Sequence, residues 1–268
     1  MTMIQGQLVV VRGAGDLATG CILRLVRAGF RVLALEVADP SAIRRTVSFS
    51  EAIYDGTARV EGVRARRCEA VPEHWNSGDP VPILVDPDCR ILEQLAPVAL
   101  VDAILAKRNL GTRRGLAPVV VALGPGFTAG RDADAVVETN RGHDLGRVLL
   151  TGSAEANTGI PGLIGGHGRE RVIHAPLAGR VEPLSAIGDR VKAGEAVLSI
   201  GGIVVPSAID GVVRGLIRPG FEARAGLKVA DVDPRGQREH CFTVSDKARA
   251  IAGGVLEAIL MLGDGAAR

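Results

Sequence analysis

A glycine-rich turn near the start of the chain has residue types and spacing suited to binding a phosphate. Gly13, Gly15 and Ala18 form the pattern Gly-x-Gly-x-x-Ala after the apolar run Leu8–Val11. In a βαβ unit the first glycine permits a tight turn, the second lets the backbone approach a phosphate, and the small third residue allows close helix–strand packing. The start of the following helix offers free N–H groups to the anion. The pattern predicts nucleotide or phosphate binding, and the alternative is a glycine turn without a ligand.

Residues at the ends of other strand-like runs extend the predicted site. Glu36 follows the turn by about 20 residues, the position at which an acid accepts a ribose hydroxyl. Asp86 and Asp102 also end apolar runs, and ligands of open α/β sheets bind beyond the carboxyl ends of the strands. These acids could therefore converge on one crevice, or each could cap a helix. The predicted cofactor-binding residues are Gly13, Gly15, Asp16, Ala18, Glu36, Asp86, Gly124 and Gly126.

Cys241 is the strongest candidate nucleophile among the four cysteines. His240 precedes it and Lys247 follows nearby, and a cation close to the sulfur favours the thiolate. Neighbours along a β-run point to opposite faces, so His240 could also face away from the sulfur. The cysteines are widely spaced without a CxxC pair, so neither a zinc knuckle nor a thioredoxin-like pair is expected.

Three further residues complete the catalytic candidates: Asp102, Lys107 and His143. Lys107 follows the run that ends at Asp102 and is placed to bind a phosphate or carboxylate, with a solvated basic turn as the alternative. His143 and Asp144 are neighbours in a glycine-rich stretch and could serve acid–base chemistry. The histidines have no regular ligand spacing, and we expect no metal site.

The composition argues against several classes of function. The 268 residues are 47% hydrophobic and 23% charged, an ordinary globular balance, and the formal net charge is +2. With scattered basic residues and few aromatics, that charge predicts neither a nucleic-acid partner nor a membrane partner. The N-terminus lacks a signal-peptide pattern, and no apolar run approaches the ~20 residues that span a bilayer. We expect a cytoplasmic protein and leave a homo-oligomer open.

Strand-like and helix-like runs alternate in the first part of the chain. The strand candidates are Leu8–Val11, Val32–Glu36, Pro82–Asp86, Val98–Asp102, Val119–Leu123 and Arg147–Leu150. They are short, apolar and nearly continuous, as expected for strands buried on both faces. Ser41–Ile53 and Asp88–Leu95 are helix candidates between them. This alternation predicts a Rossmann-like, mostly parallel, doubly wound sheet.

Residues 173–231 contain an internal repeat of short β-runs separated by glycine turns. Gly179, Gly188 and Gly194 recur at a constant offset as Gly211, Gly220 and Gly226. The repeat resembles the barrel-sandwich hybrid of biotinyl and lipoyl carrier domains. In a carrier the hairpin between the halves presents a lysine, but Ser199–Ser207 has neither lysine nor methionine, so neither biotin nor lipoate is expected.

An apolar stripe over Ser245–Leu262 predicts a C-terminal helix that packs on the first domain. The predicted fold class is therefore α/β: a Rossmann-like mostly parallel sheet, then a small all-β barrel-sandwich hybrid domain and a C-terminal helix. The predicted domains are residues 1–168 for nucleotide or phosphate binding, 169–240 for the barrel-sandwich hybrid, and 241–268 for the C-terminal segment and helix.

Eight separated segments of the chain carry a family resemblance. They are VVVRGAGDLATG, IRRTVSFSEAIYDG, VDAILAKRNLGTRR, ALGPGFTAG, NRGHDLGRV, NTGIPG, DVDPRG and SDKARAIAGGVLEAIL. These segments resemble the accessory proteins of the selenium-dependent molybdenum hydroxylase system. The N-terminal segment is also similar to the Rossmann part of xanthine dehydrogenase accessory proteins, which handle molybdenum cofactor before its insertion.

The resemblance implies an accessory protein for maturation of a molybdenum hydroxylase, with that client enzyme as its partner. Under this interpretation the turn at Gly13–Ala18 holds the pyrophosphate of molybdenum cofactor or of a pterin dinucleotide, and the family supplies no catalytic residues. The residues alone leave two alternatives: an NAD(P)-dependent oxidoreductase, in which Glu36 binds the ribose diol, and a non-catalytic scaffold. Whether the protein is an enzyme is left open.

Overall fold

The computed structural model describes residues 6–159 and 161–263, which form two compact units. The first unit contains the described residues up to Pro40, then Ser48–Asn157 and the chain from Val244 onward. The second contains Ser41–Val47 and Thr158–Thr243. The predicted domain ends at 168 and 240 differ from these limits, and the first unit is discontinuous in sequence.

The first unit is built around a nine-stranded sheet. Within its described residues the strands are β1 Leu8–Arg12, β2 Arg31–Glu36, β3 Thr57–Val60, β4 Val63–Arg67, β5 Val81–Val85, β6 Ala99–Asp102, β7 Val119–Leu123, β8 Thr128–Ala129, β9 Ala135–Val137, β10 Val148–Leu149 and β11 Gly152–Ser153. The strand order in the sheet is β10-β9-β7-β6-β1-β2-β5-β4-β3, and β8 and β11 form a separate pair.

The centre of this sheet is parallel and its two edges are antiparallel. β1 pairs in parallel with β2 on one side, Val9 opposite Val32, and with β6 on the other, Val9 opposite Ala99. The edge strands β10 and β3 run antiparallel to β9 and β4. Every residue of β1 and β7 is buried, which explains why these strands are apolar at successive positions, apart from Arg12 at the end of β1.

The helices are α1 Asp16–Arg27, the one-turn α2 Ala52–Asp55 and α3 Asp246–Gly263. α1 and α3 pack so closely at Gly20 that a Cβ added there would lie only 2.9 Å from the Cβ of Ala248. The apolar cluster that includes Val10 and Leu33 is instead covered by loop residues such as Trp75 and Phe127. Among the described residues of this unit, α1 and α3 are the two long helices, and they pack against each other.

The predicted Rossmann-like, doubly wound fold is wrong in its helical layers and sheet edges. Asp88–Leu95 forms only a 3₁₀ turn over Arg90–Glu93, preceded by Cys89 in a left-handed conformation at φ 58°. Ser41–Ile53 is divided between the two units and forms short 3₁₀ turns before α2. Its backbone is held by tertiary contacts: the Phe49 N–H donates to the Thr19 hydroxyl at 2.9 Å instead of to a helix carbonyl.

The second unit consists of two four-stranded antiparallel sheets. Its described strands are β12 Val172–His174, β13 Gly179–Pro183, β14 Arg190–Val191, β15 Ala196–Ile200, β16 Ile203–Pro206, β17 Gly211–Leu216, β18 Glu222–Ala223 and β19 Lys228–Asp233. The sheet orders are β12-β19-β17-β14 and β16-β15-β13-β18, and residues of both sheets share one apolar core. The predicted barrel-sandwich hybrid is corrected to this two-sheet arrangement, in which the repeat-related Gly179 and Gly211 begin strands of different sheets.

A buried ion cluster joins strands of the second unit. Asp231 on β19 accepts hydrogen bonds from Arg171 and, at 2.6 Å, from Arg214 on β17. Asp233 accepts hydrogen bonds from Arg214 at 3.1 Å and from Arg235 at 2.6 Å. Burial alone would raise the pKa of Asp233, but the hydrogen bonds of Arg235 and the charge of Arg214 hold it at about 2.

Across the residues that the structure describes, no helix combines the length and apolar character that crossing a membrane requires.

Candidate functional site

The glycine turn lies at the carboxyl end of β1, between the strand and α1. Gly13 has φ 105°, and a Cβ there would lie 3.1 Å from the carbonyl carbon of Ala103, so a glycine is needed at this close approach. Gly15 precedes α1 as its N-cap residue and makes no side-chain cap hydrogen bond. A Cβ at Gly15 would meet open space, with no atom within 4 Å. The first-turn amides of α1 therefore have no side-chain acceptor and lie beside open space.

Glu36, at the end of β2, accepts a hydrogen bond from the backbone of this turn. Its Oε2 accepts the Ala14 N–H at 2.8 Å, and its Oε1 accepts the Val37 N–H at 2.9 Å. Burial raises the pKa of Glu36 above its ordinary value, and the two backbone hydrogen bonds oppose that rise. The predicted nucleotide-binding acid thus already contacts the backbone of the glycine turn.

A second segment packs against the turn and was missed by sequence reasoning. The Ser50 N–H donates to the Ala14 carbonyl at 2.9 Å, and the Thr19 hydroxyl donates to the same carbonyl at 3.1 Å. Ser50 is fully buried, and its hydroxyl has no hydrogen-bond partner among the described atoms. Buried hydroxyls are normally paired, so this one leaves an unused hydrogen-bonding group against the turn.

A buried polar network fixes the loop that follows β6. Arg12, at the end of β1, donates to Asp102 Oδ2 at 3.3 Å, to the Thr112 hydroxyl at 3.0 Å and to the Leu110 carbonyl at 2.9 Å. The Thr112 hydroxyl donates to Asp102 at 2.5 Å. Sequence reasoning named Asp102 as catalytic but missed Arg12, and the buried pair gives Asp102 the structural task of holding residues 103–112.

Two basic residues occupy the middle of this loop. Lys107 and Arg108 are exposed, and neither side chain has a hydrogen-bond or ion-pair partner in the described part of the chain. Leu105 and Lys107 have φ of 59° and 61°, a left-handed conformation that is uncommon for residues other than glycine. A Cβ on Gly126 would lie 2.6 Å from the Arg108 backbone, so the loop after β7 contacts the same segment. The network at Arg12 holds this strained, basic loop next to the glycine turn.

The structure brings together only part of the predicted residue set. Gly13, Gly15, Asp16 and Glu36 surround the turn, while Ala18 is buried within α1. Gly124 contacts Thr139, and Gly126 contacts the basic loop. Asp86 caps the 3₁₀ turn after β5, where its carboxylate accepts the N–H groups of Arg90 and Ile91 at 3.1 and 2.9 Å. His143 is exposed between β9 and β10 and has no described contact with the turn.

The structure buries Cys241, the predicted nucleophile. It lies in the second unit, is fully buried, and donates from Sγ to the Val213 carbonyl at 3.7 Å. Burial raises the pKa of Cys241, although the charges of Arg44 and Arg214 lower it in part. A buried thiol with a raised pKa is the opposite of an activated nucleophile, so the predicted reactive role is not supported.

The described residues contain no group of three or more histidine, cysteine or acidic side chains arranged to hold a metal ion.

Comparisons with known proteins give two similarities. No protein-family model matches the chain. The chain is 52% identical over 258 residues to the Escherichia coli (strain K12) protein named "Uncharacterized protein YqeB", covering 96% of this chain and 48% of that protein. It thus spans about half the length of the curated relative it matches. Among solved structures it is similar to a succinylglutamate desuccinylase/aspartoacylase from Rhodobacter sphaeroides, with 16% identity, 85% of each chain covered and a TM-score of 0.27. A score that low establishes neither a common fold nor a common activity.

These findings contradict the resemblance to selenium-dependent molybdenum hydroxylase accessory proteins. The relative that is 52% identical to this chain is named only as an uncharacterized protein, and no family model for such accessory proteins matches the chain. The molybdenum, selenium and Rossmann assignments are therefore wrong, and molybdenum cofactor, pterin dinucleotide and the client enzyme lose the basis on which they were expected. Two of the segments behind the resemblance have local structural tasks: DVDPRG supplies Asp231 and Asp233 to the buried ion cluster, and VVVRGAGDLATG forms β1 and the glycine turn.

Proposed function

We propose that the first unit binds a phosphate-bearing small molecule of the nucleotide type between the glycine turn and the loop after β6. One observation carries this proposal: the start of α1 has no side-chain cap and lies beside open space at Gly15. Backbone N–H groups and the helix dipole at such an end favour an anion by about 0.3–1 kcal/mol when exposed.

The neighbouring basic loop supports the same proposal. Lys107 and Arg108 have no described partner, and Ala103, at the start of that loop, contacts Gly13. The hydrogen bonds of Arg12 and Thr112 fix the loop before any ligand arrives. A loop whose backbone is already ordered loses less conformational freedom on binding than a mobile loop, so this loop is suited to holding a phosphate.

Glu36 limits what else the ligand can be. Its oxygens each accept one backbone N–H, and a carboxylate oxygen can accept a further hydrogen bond. A ribose hydroxyl could use that capacity, whereas a second phosphate beside Glu36 would be repelled. A ligand with its phosphate groups at the turn and the basic loop and a hydroxyl-bearing part toward β2 fits this distribution of charge.

The proposal keeps a cytoplasmic location, because all four cysteines are free, as in proteins of a reducing compartment. The two alternative functions drawn from the sequence, an NAD(P)-dependent oxidoreductase and a non-catalytic scaffold, stay predictions.

The test compares two glycines that both have room for a side chain. A Cβ added to Gly15 or to Gly78 would have no neighbouring atom within 4 Å, and neither glycine has a positive φ, so Gly15→Val and Gly78→Val should both fold. We expect Gly15→Val to weaken ADP binding at least tenfold by calorimetry, because valine would fill the phosphate position, while Gly78→Val leaves the affinity unchanged. Adenosine, which lacks phosphate, should bind far more weakly than ADP to the unaltered protein.

Equal ADP affinity in both variants, or no saturable ADP binding, would refute the proposal. Saturable NADH binding that depends on Gly15 would place the nicotinamide dinucleotides within the ligand class.

A further inference from the structure

A second candidate site lies between α1 and α3, at the far end of α1 from the glycine turn. It is a groove of about 420 Å³, within the range of small-molecule sites. Leu23 and Ala252 are buried at its floor, and Leu256 is partly buried beside them. Arg24 and Arg27 on α1 and Arg249 on α3 also line it. We call this feature the arginine groove.

The walls of the arginine groove are two long helices in close contact. Gly20 of α1 lies against Ala248 of α3, a contact that any side chain at position 20 would push apart. Helices fixed in this way hold their side chains more precisely than loops do, and a site on them is preorganised.

The guanidinium groups of the arginine groove have N–H groups that can still donate hydrogen bonds to a ligand. Arg24 is exposed and has no hydrogen-bond or ion-pair partner among the described residues. Arg27 donates through Nη2 to the Glu61 carboxylate at 3.2 Å, and Arg249 donates through Nη1 to the Val244 carbonyl at 2.6 Å. Each guanidinium has five N–H donors, so both held arginines keep free ones. Three arginine charges against one glutamate leave an excess of two positive charges.

The helix dipole explains only part of this arrangement. Arg24 and Arg27 lie in the last turn of α1, where a cation is favourable without any ligand. Arg249 instead lies near the start of α3, where the dipole disfavours a cation. An anion in the groove would interact favourably with the start of α3 and with all three arginines.

We propose that the arginine groove binds a small dianion whose oxygens accept hydrogen bonds, a phosphate monoester or a dicarboxylate. Guanidinium groups bind both chemistries through paired, charge-assisted hydrogen bonds. The apolar floor at Leu23 and Ala252 would contact the carbon skeleton of the ligand. This site is separate from the proposed nucleotide site, since Arg24 and Arg27 follow Gly15 by 9 and 12 residues, about 14 to 18 Å along the helix axis.

The experiment is a ¹H–¹⁵N NMR titration of the whole protein with inorganic phosphate and, separately, with malonate. We expect saturable shifts at the amides of residues 23–28 and 249–256 and at arginine Nε–H signals. Arg24→Ala and Arg249→Ala should each weaken binding about tenfold, and Arg24→Lys should weaken it less than Arg24→Ala. Arg224→Ala, an exposed arginine of the second unit, is the control and should leave the affinity unchanged.

Saturation by phosphate alone or malonate alone would identify which of the two chemistries the groove takes. The proposal is overturned if neither ion saturates these signals, if the shifts are confined to residues 13–18, or if Arg24→Ala binds as tightly as the unaltered protein. Gly15→Val serves as the cross-check, because it should remove binding at the turn and leave the shifts at residues 23–28 intact.

Discussion

Among single residues, Glu36 has the largest influence on the charge of the glycine turn. It binds the Ala14 and Val37 N–H groups from a position where burial raises its pKa. An acid whose folded pKa is raised contributes stability in its protonated form, which is present at low pH and lost as pH rises through the folded pKa. When Glu36 is ionised, it is a desolvated negative charge beside the proposed anion site.

Glu36→Gln should strengthen sulfate binding at pH 7 several-fold, because it removes that negative charge. Sulfate is the appropriate probe because its charge is constant between pH 7 and 5. In the unaltered protein we expect sulfate affinity to rise as pH falls toward the raised pKa of Glu36, and in Glu36→Gln we expect no such rise. Calorimetric titrations across this pH range measure both effects.

His143 provides the control for that titration, because it is exposed and has no described contact with the glycine turn. His143→Ala should retain the pH-dependent rise in affinity. A rise that disappears in His143→Ala but persists in Glu36→Gln would assign the effect to the histidine and contradict the role given to Glu36.

For single residues, the sequence predicted where a side chain lies better than which groups that side chain contacts. Glu36 and Asp102 were selected because each ends an apolar run, and both lie at the carboxyl edge of the sheet. Their contacts depend on partners far away in sequence: Asp102 pairs with Arg12, 90 positions earlier. Cys241 was selected for its charged neighbours, but its burial depends on packing against Val213 that no local pattern reveals.

Among the elements, the loop after β6 depends most on a few polar contacts. The Thr112 hydroxyl connects Arg12 and Asp102, and all three residues are buried. The loop between Asp102 and Thr112 carries the left-handed residues Leu105 and Lys107. Such strained conformations persist only where surrounding contacts enforce them.

Thr112→Val keeps the shape of the side chain but removes its hydroxyl. We expect the free energy of unfolding to fall by about 1–3 kcal/mol, because buried polar atoms of Arg12 and Asp102 lose a partner. Hydrogen exchange at residues 103–112 should become faster, and ADP affinity should fall with it. Thr57→Val, at an exposed position of β3, is the matched control and should change neither quantity. Unchanged exchange in Thr112→Val would show that the hydroxyl does not fix the loop.

Strands were predicted more accurately than helices, for a physical reason. The run Val119–Leu123 is a strand with those limits, and Val32–Glu36 differs from β2 by one residue, because buried parallel strands need apolar residues at every position. Ser41–Ile53 contains enough apolar residues to suggest a helix. The N–H groups of Phe49 and Ser50 instead donate hydrogen bonds outside the segment, to the Thr19 hydroxyl and the Ala14 carbonyl. Tertiary contacts of this kind override local helix propensity.

For the molecule as a whole, the buried ion cluster of the second unit should govern stability in acid. The pKa of Asp233 is lowered to about 2 by the hydrogen bonds of Arg235 and the charge of Arg214, in spite of burial. An acid with a lowered pKa contributes stability that is present above its unfolded pKa and is lost as pH falls through the folded value.

We expect the free energy of unfolding to fall by ~2 kcal/mol between pH 5 and pH 2 through Asp233 alone. Urea denaturation followed by circular dichroism at several pH values measures this slope. Asp233→Asn should be less stable at pH 5, since it removes the carboxylate that pairs with Arg214 and Arg235, and should show a shallower slope in acid. Glu222→Gln, at an exposed position of β18 in the same unit, is the control and should retain the slope of the unaltered protein. An unchanged slope in Asp233→Asn would contradict the assignment.

The discontinuity of the first unit has a consequence for how the chain is made. The chain leaves this unit at Asn157 and returns to it at Val244, so α3 is the last element of the first unit to be synthesised. Until then the face of α1 around Gly20 lacks the helix that covers it. The second unit can complete its sheets beforehand, whereas the first must close a long loop to bring α3 onto α1, a slow kind of step. The nascent chain therefore exposes the apolar face of α1 until α3 has been synthesised, and exposed apolar surface of this kind favours aggregation.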